Sequence, residues 1–265
     1  MTRLPLSVAI IAFNEAHIIG RTLDAVREIA SEIVVVDSHS TDETREIARR
    51  LGARVFEEDW KGHIAQKNSA LEKCTQPWIL ALDADEIVSP GLRAAIAAAV
   101  RRPAADGYLV NRRTVYLGRP LRHMWQPDWK LRLVHRDANP VWGGYDPHDS
   151  LRIGGRTARL RGGFLEHHSY RDLDDHFRRL VAYARIAARS YHEQGRRAGA
   201  GTILFSPVAG VLKSYVLRGG FLDGMPGLIA AASKYAYVLF KYCFLWELEH
   251  RPAASEEGRN EPRSG

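Results

Sequence analysis

Short apolar runs alternate with helical apolar stripes over the first hundred residues. Four short runs predict strands over 6–13, 33–36, 53–56 and 78–82, and the second of them is continuously β-branched. Between them, apolar positions recur at helical spacing and predict helices over 18–29, 44–51 and 61–73, with a further helix from Pro90 to Arg101. The run 33–36 is apolar throughout, as in a parallel strand buried on both faces. This alternation predicts an α/β fold with a mostly parallel, doubly wound sheet.

The pattern changes near residue 107. Short aromatic runs, punctuated by Gly and Pro, predict antiparallel strands over 108–117, 130–135 and 150–153, and a helix follows over 173–193. We therefore expect one α/β domain over 1–200, with a nucleotide-binding half (1–105) and an acceptor half (106–200). The expected remainder is an amphipathic helical region over 201–249 and a disordered tail over 250–265.

Composition and charge narrow the class of protein. The chain is 45% hydrophobic and 26% charged, which excludes global disorder. Two cysteines cannot form a disulfide framework or a four-thiolate zinc site. They indicate reduced thiols, and the absence of a secretory pattern at the first residues agrees with a cytoplasmic protein. The net charge of +7 favours an anionic partner: a nucleotide, a nucleic acid or an acidic membrane surface.

Polar residues follow three of the predicted strands. They are Asn14-Glu15, Asp37, and Asp83-Ala84-Asp85. Ligands of open parallel sheets bind beyond the carboxyl ends of the strands. Asp83 and Asp85 are two residues apart, so both carboxylates can face one cavity that holds a divalent cation and phosphate oxygens. The alternative is that these acids only cap the helices that follow.

Several cofactor motifs are absent from the sequence. No Gly-x-Gly-x-x-Gly turn follows the first strand, no Gly-x4-Gly-Lys-Ser/Thr loop occurs, and no His-Glu-x-x-His helix occurs. These absences disfavour a Rossmann dehydrogenase, a P-loop NTPase and a zinc protease of that type.

The same strand ends carry a family resemblance. The segments 8–15, 34–44 and 82–86 resemble, in order and spacing, glycosyltransferase family 2, whose members are inverting enzymes of the GT-A fold. Later segments, 128–133, 148–149, 167–171 and 219–224, resemble the branch that includes bacterial lipopolysaccharide-core β-1,4-glucosyltransferases. The resemblance extends over about residues 5 to 248 and implies a GT-A nucleotide-sugar-binding fold with a C-terminal helical extension.

The resemblance implies roles for individual residues near the nucleotide sugar. Asp37 would accept a hydrogen bond from the base imide, which suits uracil. Asp83 would reach the ribose or donor sugar, and Asp85 would bind Mg²⁺ or Mn²⁺ between the phosphates. The other implied nucleotide-sugar residues are Ala12, Phe13, Asn14, Glu15, Lys67, Asn68 and Ala84.

An inverting transfer also needs a base that accepts the proton of the acceptor hydroxyl. The branch has a His-Glu pair where this chain has His148-Asp149, so Asp149 is the expected base, with Asp146 as its rival. The alternative is that Asp149 is a turn residue after Pro147.

Three further residues are candidates for diphosphate or acceptor contacts: Arg132, His148 and His168. Alternatively, Arg132 is a solvated surface arginine, and His168 forms a structural pair with its neighbour His167.

The C-terminal block mixes apolar and aromatic residues with spaced lysines and arginines. Its charges, with Pro207 and Pro226, argue against a helix that spans a bilayer and favour helices lying in a membrane interface. The alternative is an ordinary helical subdomain that covers the sheet.

The sequence thus predicts a metal-dependent inverting glycosyltransferase with no nucleic-acid partner. It would move a hexose, glucose by resemblance, from a UDP-sugar to a lipopolysaccharide-core or other cell-envelope glycan, at the cytoplasmic face of the inner membrane. One alternative, a nucleotidyltransferase, is disfavoured because no Gly-rich basic loop follows the first strand. A nucleic-acid-binding protein is disfavoured because the basic residues are scattered, and a catalytically inactive relative because Asp83-Ala84-Asp85 is present.

Overall fold

The computed structural model describes residues 3–145 and 148–250, except for the side chains of Tyr145 and His148. These residues form two compact units. The first comprises 3–120 and 125–169, and the second comprises 121–124 and 170–250. The helix predicted over 173–193 thus groups with the C-terminal residues. The predicted disordered tail, apart from His250 itself, lies outside the described residues.

The first unit begins with the predicted alternation of strand and helix. Its opening elements are β1 Leu4–Ala12, α1 Ile19–Asp24, β2 Ala30–Asp37, α2 Thr44–Arg50, β3 Arg54–Glu57, α3 His63–Glu72, β4 Trp78–Asp83, β5 Glu86–Val88 and α4 Pro90–Arg101. The first helix is shorter than predicted. Val26 and Ile29, which extend its apolar stripe, are buried in turns that lead into β2.

The sheet is parallel in its first half and mixed in its second. The later strands are β6 Gly107–Tyr116, β7 Arg119–Pro120, β8 Trp129–His135, β9 Val141–Tyr145, β10 His148–Arg152, β11 Thr157–Arg159 and β12 Leu165–His167. In the described chain the strand order is β3-β2-β1-β4-β8-β6-β12-β5. β1 to β4 pair in parallel, whereas β8 runs antiparallel to both β4 and β6. The predicted antiparallel strands are therefore confirmed, and two of them insert into the sheet itself.

Both faces of the parallel strands are buried, as the apolar run 33–36 predicts. Val35 contacts the side covered by α1, α2 and α4, whereas Val34 and Val36 contact the side covered by α3. Cys74 lies in the second cluster, where burial raises the pKa of its thiol to about 12. A thiol with this pKa stays protonated and chemically inert, in agreement with a structural role.

Ser89 couples helix α4 to strand β12. Its hydroxyl accepts the Leu92 N–H at 3.3 Å, which caps the helix, and also the Phe164 N–H at 3.0 Å. Gly163 makes this approach possible, because a Cβ atom there would lie 2.0 Å from the Leu92 nitrogen. This backbone contact fixes the start of β12, the strand that ends at His167.

We expect Gly163→Ala to lower the free energy of unfolding by about 2 kcal/mol or more, because two backbone segments would have to separate. Urea denaturation followed by circular dichroism measures the change. Gly154→Ala is the control, since its Cβ would make only an ordinary contact at 3.7 Å with the Ala138 carbonyl. Equal stability of the two variants would contradict the close-approach argument.

The second unit is helical. Its elements are α5 Leu173–Glu193, α6 Ala200–Val211, a π-helical segment Leu212–Leu217, a 3-10 turn Gly220–Asp223 and α7 Gly224–His250. Helix α7 packs against α5 and α6. The Asp223 carboxylate accepts the N–H groups of Arg122, His123 and Met124 at 2.7–3.0 Å, which explains why residues 121–124 belong to this unit.

Two helical segments, 200–217 and 220–250, are long and apolar enough to cross a membrane by length and composition alone. The sequence argument against spanning relied on spaced charges and on Pro207 and Pro226. The charges lower the mean hydropathy of such long segments only slightly, and both prolines lie within helices. In the most apolar 18-residue stretch of each segment, only 11% of the first and 28% of the second is buried in the protein, so neither segment is an ordinary core helix.

Candidate functional site

Hydrogen bonds join the loop after β1 to the loop after β2. Asn14, in the left-handed region with φ 55°, donates its N–H to the Ser40 hydroxyl at 2.9 Å and accepts the Thr41 N–H at 2.8 Å. Glu15 donates its N–H to the Thr44 hydroxyl at 2.8 Å. Parallel pairing of Ala12 with Asp37 starts both loops at the same edge of the sheet. Phe13 is left 55% exposed beside this edge.

Asp37 lies inside this pair of loops. Its side chain is wholly buried, and its two oxygens accept the Ser40 N–H at 2.7 Å and the Ser40 hydroxyl at 2.5 Å. The Arg45 guanidinium is 3.9 Å away. Asp37 thus organises the loop after β2, and a direct contact with a nucleotide base stays a prediction.

Lys67 joins two of the predicted carboxylates. Its ammonium lies 2.8 Å from Asp83 Oδ1 and 2.7 Å from Asp149 Oδ2. Burial lowers the pKa of Lys67, but Asp83 and Asp149 outweigh this effect, and the net pKa is raised. Asp149 stands on β10 opposite Gly144 of β9, so the strand pairing brings it to α3 across 82 residues of sequence.

Arg132 extends the same network into the protein. Its side chain is buried, and one guanidinium nitrogen contacts Asp83 Oδ2 at 2.9 Å and Glu86 Oε1 at 2.6 Å. Glu86 is wholly buried and also faces Arg112 at 3.4 Å, which in turn pairs with Asp128 at 2.8 Å. The alternative of a solvated surface arginine is therefore wrong for Arg132.

Opposite charges set the protonation states in this network. Burial raises the pKa of Asp83, but Lys67 and Arg132 outweigh it and hold the pKa well below its ordinary value. Burial also opposes the charge of Arg132, yet Glu86 and Asp83 raise its pKa. Asp83 is therefore an anion at neutral pH, clamped between two cations.

The pKa of Asp85 is shifted in the opposite direction to that of Asp83. Burial, followed by repulsion from Asp83, Glu86 and Glu15, raises its pKa to about 8. His167 Nε2 lies 3.4 Å from Asp85 Oδ2. Burial and the positive charge of Arg112 lower the pKa of His167 to about 3, so this imidazole is neutral and supplies little charge to Asp85.

A neutral imidazole and a carboxylate at this separation are a suitable donor pair for one Mg²⁺ or Mn²⁺ ion. Mg²⁺ takes carboxylate and water oxygens at about 2.0–2.1 Å, whereas an imidazole ligand is more typical of transition-metal ions. No cluster of three or more His, Cys, Asp or Glu side chains that could hold a metal occurs among the described residues. The pair therefore fits a cation that shares its remaining coordination with phosphate oxygens and water, as Mg²⁺ usually does.

Asn68 has a structural partner. Its amide donates to the Trp142 carbonyl at 3.0 Å and accepts the Trp142 N–H at 2.8 Å. The Trp142 ring lies beneath both cations of the site, with Lys67 Nζ 4.4 Å and the Arg132 guanidinium carbon 5.4 Å from its centroid. Asn68 thus holds the tryptophan that supports Lys67, and its predicted contact with the nucleotide is untested.

The sequence has relatives of named activity. The pattern of the family described as "Glycosyl transferase family 2" matches residues 7–158. The chain belongs to glycosyl transferase family 2. It is 29% identical, over 94% of its length and 96% of the relative's, to the lipopolysaccharide core biosynthesis glycosyltransferase LpsC of Rhizobium meliloti. It is 28% identical to an uncharacterized glycosyltransferase of Rickettsia typhi, over 84% of this chain and 80% of the relative.

The fold agrees with that of a solved structure. The mannosyltransferase PcManGT of Pyrobaculum calidifontis, solved with GDP-Man and Mn²⁺, superposes with a TM-score of 0.56 at 16% identity. The match includes 92% of this chain and 88% of that one. The predicted GT-A fold is thereby confirmed, and membership of family 2 sets aside the nucleotidyltransferase and nucleic-acid-binding alternatives.

Within this family fold, not every candidate residue lies at the network. The His168 N–H donates to the Asp85 carbonyl at 3.0 Å, whereas its imidazole lies 3.6 Å from Glu166. The side chain of His148 and the whole of Asp146 lie outside the described residues. Ala84 is buried, and its carbonyl accepts the Thr22 hydroxyl at 2.7 Å.

Sequence reasoning missed the buried acid Glu86 and its partner Arg112, and gave His167 too little weight. Strand alternation offers a signal for His167, because Leu165 is fully buried and a residue two positions later shares its face. No local signal identifies Glu86 or Arg112, whose pairing joins residues 26 positions apart.

Glu86→Gln should destabilise the protein by about 3 kcal/mol, because it leaves buried Arg132 and Arg112 short of a countercharge. Urea denaturation at neutral pH checks this value. Glu72→Gln, at an exposed position of α3, is the matched control and should change stability by less than about 0.5 kcal/mol. A Glu86→Gln protein as stable as the control would show that the network does not support the fold.

Proposed function

We propose that this family 2 enzyme is an inverting, metal-dependent hexosyltransferase that uses a UDP-sugar, with glucose as the expected sugar. The acceptor is a lipopolysaccharide-core or other cell-envelope glycan. One observation carries the proposal: Lys67 links Asp149 to Asp83, while Asp85 and His167 lie beside the same network. A base candidate, a donor-binding acid and a metal-binding pair therefore share one site.

Asp149 is the proposed general base. In an inverting transfer the acceptor hydroxyl attacks the anomeric carbon, its proton passes to the base, and the bond to the nucleoside diphosphate breaks. The Asp149 side chain is 16% exposed, so one oxygen can meet an acceptor while the other accepts from Lys67. Asp149 is one methylene shorter than Glu, and Lys67 holds it in a fixed position relative to Asp83.

Asp85 and His167 are the proposed metal ligands, and Asp83 is the proposed partner of the ribose or donor sugar. A divalent cation bound there would neutralise negative charge that grows on the departing diphosphate. The chain's own contribution is the crowding of carboxylates around Asp85, which makes this position attractive to a cation. The loop residues Ala12, Phe13, Asn14 and Glu15 would line the base and ribose.

The acceptor class is proposed from the relative LpsC, whose name assigns it to lipopolysaccharide core biosynthesis and which matches this chain almost end to end. Glycans of that type are built on lipid, so we also propose peripheral contact with the cytoplasmic face of the inner membrane. The poorly buried apolar helices of the second unit support this contact.

A panel of nucleotide sugars tests donor and metal together. We expect one UDP-hexose, and not GDP-mannose, to stabilise the protein when Mn²⁺ is present and to lose this effect in EDTA. A ligand at about 100 times its dissociation constant adds about 2.7 kcal/mol, which a melting curve detects easily. Asp85→Ala and His167→Ala should each abolish the metal-dependent part, whereas Glu166→Gln on the same strand should retain it. A shift that persists in EDTA would remove the metal assignment.

Asp149→Asn should reduce glycosyl transfer by about 10²-fold or more while donor-induced stabilisation stays near the wild-type value, because asparagine can accept from Lys67 but cannot take a proton. Transfer of radiolabelled sugar to the acceptor glycan measures the rate. Asp137→Asn, at a highly exposed position, is the control. Normal turnover of Asp149→Asn would move the base elsewhere, and Asp146→Asn is the next variant to test.

A further inference from the structure

Helix α6 presents an apolar stripe to the outside of the second unit. Leu204, Phe205, Val208 and Leu212 follow helical spacing on one side of the helix, and Phe205 is 72% exposed. Pro207, on the other side, is buried. A soluble protein usually covers such a stripe or gives it polar residues.

The stripe ends in a group of exposed apolar residues where the chain turns from the π-helical segment into α7. Leu217 is 75% exposed, Leu222 is 62% exposed and Met225 is 65% exposed. Phe221 is half exposed, and its ring lies 6.4 Å from the ring of Tyr215. We call Leu217, Phe221, Leu222 and Met225 the apolar tip.

The charged residues around this surface are almost all basic. Between residues 194 and 246 the sequence holds six basic residues: Arg196, Arg197, Lys213, Arg218, Lys234 and Lys241. It holds one acidic residue, Asp223. That carboxylate is occupied by three backbone N–H groups of residues 122–124, so it is already engaged inside the unit.

Four of these cations lie close enough to repel one another. Burial, followed by the charges of Arg218, Lys241 and Lys213, lowers the pKa of Lys234. Lys213, within the π-helical segment, and Arg218, which directly follows it, are both exposed, and Arg218 adjoins Leu217 of the apolar tip. No ion pair to any of the four is found in the described residues. Lys241 is buried over the rings of Tyr191 and Tyr242, whereas Lys213 and Arg218 are exposed and open to an anionic partner.

We propose that the α6 stripe and the apolar tip dock on the surface of an anionic lipid bilayer, with the tip inserted among acyl chains and Lys213 and Arg218 at the phosphates. This inference deepens the membrane contact of the proposed function and names the surface that makes it. An exposed apolar stripe with basic flanks is the pattern of interfacial helices, and basic residues near an anionic surface strengthen the attachment.

The same charges disfavour the other occupants of this surface. A second copy would bring two predominantly cationic faces together, and their repulsion would oppose association. A transmembrane arrangement of α7 would place Lys234 and Lys241 within the apolar segment, where a charged side chain is unfavourable. Only the interfacial arrangement satisfies both the exposed apolar atoms and the cations.

Vesicle sedimentation of the full-length protein tests this surface. We expect binding to vesicles with about one-third anionic phosphatidylglycerol, little binding to neutral phosphatidylcholine, and release at 1 M salt, where screening acts within about 3 Å. Leu217→Asp with Leu222→Asp should weaken binding at least about tenfold, because two apolar insertions are lost. Lys213→Glu with Arg218→Glu should weaken it by a similar factor.

Two matched variants on α5 serve as controls. Ile186→Asp and Arg189→Glu change an exposed apolar and an exposed basic residue of the same unit and should bind like the wild type. Absence of binding to anionic vesicles would overturn the proposal. So would a dimer, seen by light scattering, that the tip variants dissociate, or protein that resists extraction from membranes by alkaline carbonate.

Donor binding separates this test from that of the proposed function. Melting shifts with nucleotide sugar report on the first unit alone, and the tip variants should retain them. Loss of lipid binding with an intact donor shift would concern only the docking surface. A protein that binds vesicles but shows no melting shift with any nucleotide sugar would support the docking surface and overturn the proposed chemistry.

Discussion

The site depends on keeping several buried charges neutralised in pairs. Arg132 is the centre of this arrangement, because its buried guanidinium contacts both Asp83 and Glu86. Removing one member of a buried ion pair costs far more than the pair itself contributes, since it leaves a charge without a partner in a medium of low polarity. Arg132 and Glu86 therefore have to be retained together, and they fix Asp83 at the end of β4.

This pairing also explains why Asp85 differs from its neighbour two residues away. Lys67 and Arg132 are both directed to Asp83, and Lys67 also serves Asp149. Asp85 is left with neutral His167, so its carboxylate feels the surrounding acids without a cation in contact. The two aspartates of one motif thus differ in electrostatics, which is the physical reason for assigning one to the sugar and the other to the metal.

Much of the fold could be predicted from the sequence, because its signals are local. The β-branched run at 33–36 predicted a strand buried on both faces, and acids at strand ends predicted a site at one edge of the sheet.

Side-chain pairing could not be predicted in this way. Lys67 meets Asp149 across 82 residues, and Arg132 meets Asp83 across 49, so these contacts exist only once β8 has inserted beside β4 and the β9–β10 hairpin has formed. The first helix was predicted to be too long, because Val26 and Ile29 continue its apolar spacing. In the structure these two residues are buried from turns that follow the helix.

The structure shows which part of the protein carries the excess of basic residues. In the first unit, the cations of the candidate site are paired with acids, so this site does not account for the chain's excess of basic residues. The excess is concentrated between residues 194 and 246, where six basic residues stand against one acid whose carboxylate is engaged by backbone N–H groups. Composition alone left nucleotide, nucleic acid and membrane as equal candidates for the anionic partner. Exposed Lys213 and Arg218 lie among exposed leucine, phenylalanine and methionine side chains, and this combination is the reason for proposing a lipid bilayer, which offers anionic groups and an apolar interior together.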